Sequence, residues 1–138
     1  MNKAEIIAFL NANPDCHLAT IEGYKPHVRG IGIYRADENG IIFETSTVKD
    51  LYKQLSKNPN VELCFNNYKD GIQVRVSGIA EAVDDLELKK EIVAKRQFLK
   101  PRVEKGGYGV MAVYRVKKGV AHVWTSATNL APKTYIQL

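Results

Sequence analysis

The stretch CHLATIEGYKPHVRGIGIYRADENGIIFETSTVKDLYKQLSKNP, residues 16–59, decides how this chain folds. Its first segment, Cys16 to Glu22, alternates as a strand, and Gly23-Tyr24-Lys25-Pro26 supplies a turn into a second strand from His27 to Arg35. The two-residue period puts Arg29, Ile31, Ile33 and Arg35 on one face of that second strand and Val28, Gly30, Gly32 and Tyr34 on the other. Two glycines on one face leave room for something flat. Asp37-Glu38-Asn39-Gly40 then turns the chain into Ile41-Ile42-Phe43-Glu44-Thr45, a third strand by its β-branched and aromatic content, so the expectation is a three-stranded antiparallel meander. A helix follows: Thr47 and Asp50 have capping-box spacing, Val48, Leu51, Tyr52 and Leu55 recur at helical intervals, and Asn58-Pro59-Asn60 ends the run.

Outward from this stretch the same two periods alternate. On the N-terminal side, Asn2 and Glu5 form a capping-box pair ahead of Ile6, Ile7, Phe9 and Leu10, which predicts a helix over residues 2–12. On the C-terminal side, strands are predicted over Val61–Asn66 and Ile72–Val83, and a charged helix from Asp84-Asp85 to about Lys100. Its lysines and Arg96 read as a solvated face. Pro101 and Gly106-Gly107 mark residues 100–108 as a loop, and Lys117-Lys118-Gly119 reads as the turn of a hairpin between Val110–Val116 and Val120–Thr125. Six or seven strands, three helices and no βαβ rhythm predict a mainly β, α+β domain spanning residues 1–138: an antiparallel barrel or strongly curled sheet with flanking helices.

Composition narrows the function. The 138 residues carry 20 Lys+Arg against 15 Asp+Glu, a net charge of +5, with 45% hydrophobic and 25% charged residues, so disordered, collagen-like and disulfide-stapled classes are excluded. The longest apolar run near the N-terminus, Ile6 to Leu10, is too short for a membrane span or a signal-peptide core, which leads to the expectation of a soluble, cytoplasmic protein. Cys16 and Cys64 lack zinc or redox spacing, and His17, His27 and His122 lie on separate strands without acidic partners, so no metal site is expected. Basic charge fits a nucleic acid, an anionic membrane or a phosphorylated ligand. Against nucleic acid, Tyr24, Tyr34, Tyr52, Tyr68 and Trp124 do not alternate with Lys or Arg on one strand face.

Three features could carry chemistry. A strand delivers Thr45, Ser46 and Thr47 into a helix start bearing Lys49, where hydroxyls, free backbone N–H groups and an ammonium suit a phosphate; an ordinary cap has the same residues. Arg29 is a cation among apolar neighbours, which calls for an anion or an internal partner. Gln73 lies on a polar strand face, able to read a heterocycle edge or to meet solvent, and Trp124 suits stacking, core or interface.

In order, these segments resemble the FMN-binding split-barrel family related to pyridoxamine 5'-phosphate oxidase. The resemblance runs from about Asn13 to Ser126 and rests on LAT, the Gly-to-Pro turn, an Arg, a D-x-x-G turn, F-x-T-S, a helix-start Lys, an N-P-x-V strand and IQVRVSGIAEAVDD. It implies a homodimer with FMN at the subunit interface. By position, Arg29 and Lys49 would hold the phosphate with Ser46 and Thr47, Thr45 would meet the flavin, residues 29–34 (Gly30, Ile31 and Tyr34 among them) would run along the ring, Gln73 would contact the pyrimidine edge, and Trp124 would approach from the other subunit. The implied activity is oxidoreduction of a small-molecule donor or acceptor; haem or a deazaflavin is the alternative ligand within the same barrel. The pattern also departs from the vitamin-processing oxidases. Val48-Lys49 stands for Arg-Lys, WTSATNLAPK lacks an Arg-x-His pair, and Tyr34 stands where a substrate-facing Lys is expected, which argues against pyridoxamine phosphate as substrate. His27, Tyr34 and Tyr108 are the candidates for proton transfer.

Overall fold

The computed structural model describes all 138 residues. Helix α1 (Lys3–Ala12) is followed by strands β1 (Asp15–Glu22), β2 (Lys25–Gly32), β3 (Arg35–Asp37) and β4 (Gly40–Ser46), helix α2 (Asp50–Lys57), and strands β5 (Asn60–Asn67) and β6 (Ile72–Ala82). Helices α3 (Leu86–Lys95) and α4 (Lys100–Gly106), strand β7 (Met111–Thr125) and the two-residue strand β8 (Ile136–Gln137) complete the chain. The strands form one antiparallel sheet in the order β2-β1-β5-β6-β7-β4-β3, with β8 also on β7.

The predicted β1–β2 hairpin forms, with Leu18 opposite Arg29 and Thr20 opposite His27. The predicted meander does not. The chain leaves β2 at Gly32; Ile33 N–H then donates to Pro14 O (3.0 Å) and Tyr34 N–H to Ile42 O (2.7 Å), so β3 joins β4 at the far end of the strand order. Two residues thus link the first and last strands of the sheet. A flat sheet of that order cannot be spanned by so short a segment, so the sheet curls into a barrel left open along that seam.

Alternation sorts the side chains into two cores. Inside the curl, Leu18, Leu63, Phe65, Val74, Val76 and Phe43 pack with Tyr114, whose ring stacks on Phe43 at 5.3 Å between centroids. Helix α1 contributes Ile6, Phe9 and Leu10 to this core, and α2 adds Leu51 and Leu55. Outside it, Ile42, Met111 and Val113 are covered by Leu88, Ile92 and Val93 of α3 and by Leu99. The same two strands, β4 and β7, are therefore apolar on both faces.

Three local expectations need correcting. Residues 100–106 are helical rather than loop, because Pro101 sits in the first turn, where its missing N–H costs nothing, and Gly107 at φ +76° ends the helix. The expected hairpin at Lys117-Lys118-Gly119 is instead an irregularity within one continuous β7: Lys117 pairs with Ile79 and Val120 with Ser77, so Gly78 lies opposite two residues, Lys118 at φ +53° and Gly119, one more than regular pairing holds. A Cβ on Gly78 would stand 2.8 Å from Lys117 O, which is why the close approach requires glycine. Helix α2 begins at Asp50 with Lys49 as an N-cap making no side-chain cap, not at Thr47. Thr47 N–H is still bonded to Val110 O (3.0 Å), which keeps the chain extended there.

The capping box of α1 is present, with Asn2 and Glu5 bonding reciprocally at 2.9 Å. At its other end Asn11 pins the helix to β3: Nδ2 donates to Ala36 O (2.8 Å) and Oδ1 accepts from Ala36 N–H (2.9 Å). Asn11→Ala leaves both groups of a buried residue unpaired, and chemical denaturation should register a loss of about 1–3 kcal/mol.

Candidate functional site

The seam between β2 and the α2 start opens into a cleft of about 990 Å³. Arg29, Gly30, Ile31, Thr45 and Lys49 from the sequence-predicted set all line it, as does His27. The α3–α4 side of the same cleft brings Arg96, Phe98 and Arg102, while Asp15, Glu44 and Asp50 are its carboxylates. Four guanidinium or ammonium groups thus face three acids.

Arg29 is held from behind by neutral acceptors. Nη1 donates to Leu18 O (3.2 Å) and Thr20 Oγ1 (2.8 Å), and Nη2 donates to Gln54 Oε1 (2.5 Å). Thr20 Oγ1 in turn donates to Gln54 Oε1 (2.5 Å), so a buried Thr–Gln pair fixes the guanidinium without neutralising it. Burial pulls the Arg29 pKa down from its ordinary value, and the charge of Asp50 opposes that fall. Asp50, on the same cleft wall, is the carboxylate that partly compensates this charge. Beside it, the α2 start offers backbone N–H groups with no side-chain cap, and Lys49 stands exposed at that end.

The other predicted residues lie elsewhere. Ser46 and Thr47 are half-buried in the β4–α2 connection: Ser46 Oγ accepts from Val48 N–H (3.4 Å), and Thr47 is tied to β7. Gln73 and Trp124 sit opposite each other on β6 and β7, outside the cleft walls, with Gln73 Nε2 donating to Asn66 Oδ1 (2.9 Å) and Trp124 Nε1 to Asn129 Oδ1 (2.8 Å). Tyr34 is outside the walls too. Its hydroxyl donates to Glu91 Oε2 (2.5 Å), and Arg35 and Arg96 each stand 5.6 Å from its ring centre. Tyr108 lies at the α4–β7 junction, where its carbonyl accepts from Lys89 Nζ (3.2 Å). His27 Nε2 is 3.8 Å from Glu22 Oε1 and makes no hydrogen bond.

Several residues of the cleft were not singled out by sequence reading. Gln54 carried a usable signal, being the polar member of the Leu51-Gln54-Leu55 stripe that α2 buries. Arg96 was assigned to a solvated face, yet it follows the last residue of α3 and turns inward, donating to Ile33 O (2.6 Å) and Gly32 O (3.4 Å). Arg102 belongs to the helix mistaken for a loop. A second cavity of about 410 Å³, between α1 and the β7 irregularity, contains none of the predicted site residues.

An antiparallel split barrel with a cleft at its seam, lined by four cations and three carboxylates, is the class that fold and site define. The family model described as pyridoxamine 5'-phosphate oxidase matches residues 3–113, and the chain belongs to that family. Among solved structures, a NimC/NimA family protein from Clostridium acetobutylicum is 26% identical at a TM-score of 0.80, covering 98% of this chain and 92% of its own. PhzG from Burkholderia lata, in complex with tetrahydrophenazine-1-carboxylic acid, shares the fold at 14% identity and a TM-score of 0.72, covering 98% and 89%. A pyridoxamine 5'-phosphate oxidase-related, FMN binding protein from Nostoc punctiforme does so at 16% identity and 0.68, covering 96% and 88%. No curated protein sequence matches the chain. No helix is long and apolar enough to cross a membrane.

Burial and the bond to Glu91 push the Tyr34 hydroxyl up to about 12. A raised pKa favours the native state while the phenol is protonated, so this contribution is complete below pH 10 and is lost as pH rises through about 12. Tyr34→Phe should remove one late step from the tyrosinate absorbance titration and flatten the fall in stability over that window.

Proposed function

We propose that the chain is a homodimeric FMN-binding flavoprotein that transfers hydride or electrons between small molecules. The observation that carries this reading is Arg29, a half-buried guanidinium fixed by Thr20 and Gln54, facing the same cleft as Lys49 and the uncapped α2 start. That donor set suits a phosphate dianion: two cations and the backbone N–H groups of the α2 start. The adjoining wall suits a flat ring. Gly30 is exposed, and a Cβ on Gly30 or Gly32 would meet nothing closer than 3.4 Å, so the strand backbone is accessible rather than filled.

In this reading Arg29 and Lys49 would bind the FMN phosphate, Thr45 and residues 30–32 would face the isoalloxazine, and the flavin would supply the hydride or electron chemistry, with Tyr34 left outside the site. Gln73 would contact the pyrimidine edge of the flavin, and Trp124 would approach it from the second subunit. The exposed apolar side chains Val28 and Tyr68 support such an interface, since they gain burial on dimerisation. His27 is the cleft's candidate for moving a proton. The absence of an Arg-x-His pair after Trp124 sets pyridoxamine phosphate aside as substrate.

The purified protein should be yellow, sediment as a dimer and bind added FMN. Arg29→Ala combined with Lys49→Ala should weaken FMN binding about 100-fold or more by calorimetry, the loss of two charge-assisted contacts. A colourless protein that takes up no FMN would sink the reading, and a sharp Soret band would replace it with haem.

A further inference from the structure

We infer that Glu44, a carboxylate to which nothing above assigns a role, sets the reduction potential of the bound flavin and holds it low. This inference rests on the FMN reading of the cleft. Glu44 occupies β4 beside Thr45, and its side chain is only 12% exposed, yet its sole polar partner is Arg96 Nη1 at 3.8 Å, too far for a hydrogen bond. Arg96 is already committed. It spends its short bonds on the carbonyls of Ile33 and Gly32 and so cannot satisfy both oxygens of Glu44. Glu44 lines both the cleft and the small void behind it, and Arg102 lines them too.

A poorly solvated carboxylate with no protein hydrogen bond can accept one from a molecule bound beside it. Oxidised flavin can do so through its ring N–H or ribityl hydroxyls. Reduction adds two electrons and one proton to give the anionic reduced ring, which places a new negative charge in a cleft that already holds Glu44. Like charges in a poorly solvated cleft repel. The carboxylate therefore favours the oxidised form and makes the reduced form the stronger donor. Arg96 acts with the opposite sign, and the Arg96–Glu44 pair makes the potential adjustable through one contact.

The potential of bound flavin relative to free flavin reports the ratio of affinities for its two redox forms. The test is a dithionite titration of FMN-loaded protein against an indicator dye, with FMN binding measured separately by calorimetry. Glu44→Gln should raise the midpoint potential by about 30 mV, a tenfold change in that ratio for a two-electron couple. Glu44→Asp, which keeps the charge, should stay near the wild-type value, and Arg96→Gln should lower it. A Glu44→Gln potential equal to or below wild type, or a Glu44→Asp shift as large as that of Glu44→Gln, overturns the inference while FMN binding stands. Failure of the wild-type protein to bind FMN is a separate result that removes the proposed function and this inference together.

Discussion

A two-residue link between the outermost strands of one sheet is the constraint on which the rest of this structure depends. Gly32 ends β2 and Arg35 begins β3, yet the strand order puts five strands between them. Ile33 and Tyr34 bridge that gap only if the sheet curls until its two edges approach, and their backbone bonds to Pro14 and Ile42 fix the approach. The curl creates the inner core around Phe43, Phe65 and Tyr114. It also leaves a seam, and the cleft lies along it. Arg96 reinforces the same point by donating to the carbonyls of Gly32 and Ile33, so the helical layer is fastened to the crossing itself.

The cleft is basic in a controlled way. Arg29 is positioned by neutral acceptors, which orient a guanidinium without cancelling it, whereas Arg96 is offset by Glu44 and by backbone carbonyls. A surface ion pair contributes little because water competes for both charges. Within a curled sheet, acceptors that come from β1 and α2 together restrict solvation on one side of Arg29 and leave the other side to a ligand.

Much of this was legible in residues 16–59. The β1–β2 hairpin, the strand at Ile41–Thr45 and a helix after it follow from period-two and helical patterns that the backbone enforces locally, and the family resemblance adds the cleft residues Arg29, Gly30, Ile31 and Thr45. Less legible were features whose meaning depends on what lies across the gap. Pro101 starts a helix rather than breaking a chain; Lys117-Lys118-Gly119 is absorbed because β6 brings Gly78 against it; Thr47 is held extended by Val110. Each residue has two sound local readings, and only its partner chooses between them.

Sequence by itself determined the inventory: an α+β chain of alternating strands, family membership through its ordered motifs, and a cation beside a strand-to-helix junction. Tertiary structure alone decided which residues share the site. It brought Thr20 and Gln54, 34 positions apart, into one bond behind Arg29, turned Arg96 from a solvated face into the cleft, and set Tyr34 in an outer cluster with Glu91. The physical reason is that strand alternation fixes the face a side chain occupies, whereas curling fixes which distant faces meet, and that meeting is a property of the closed sheet rather than of any segment in it.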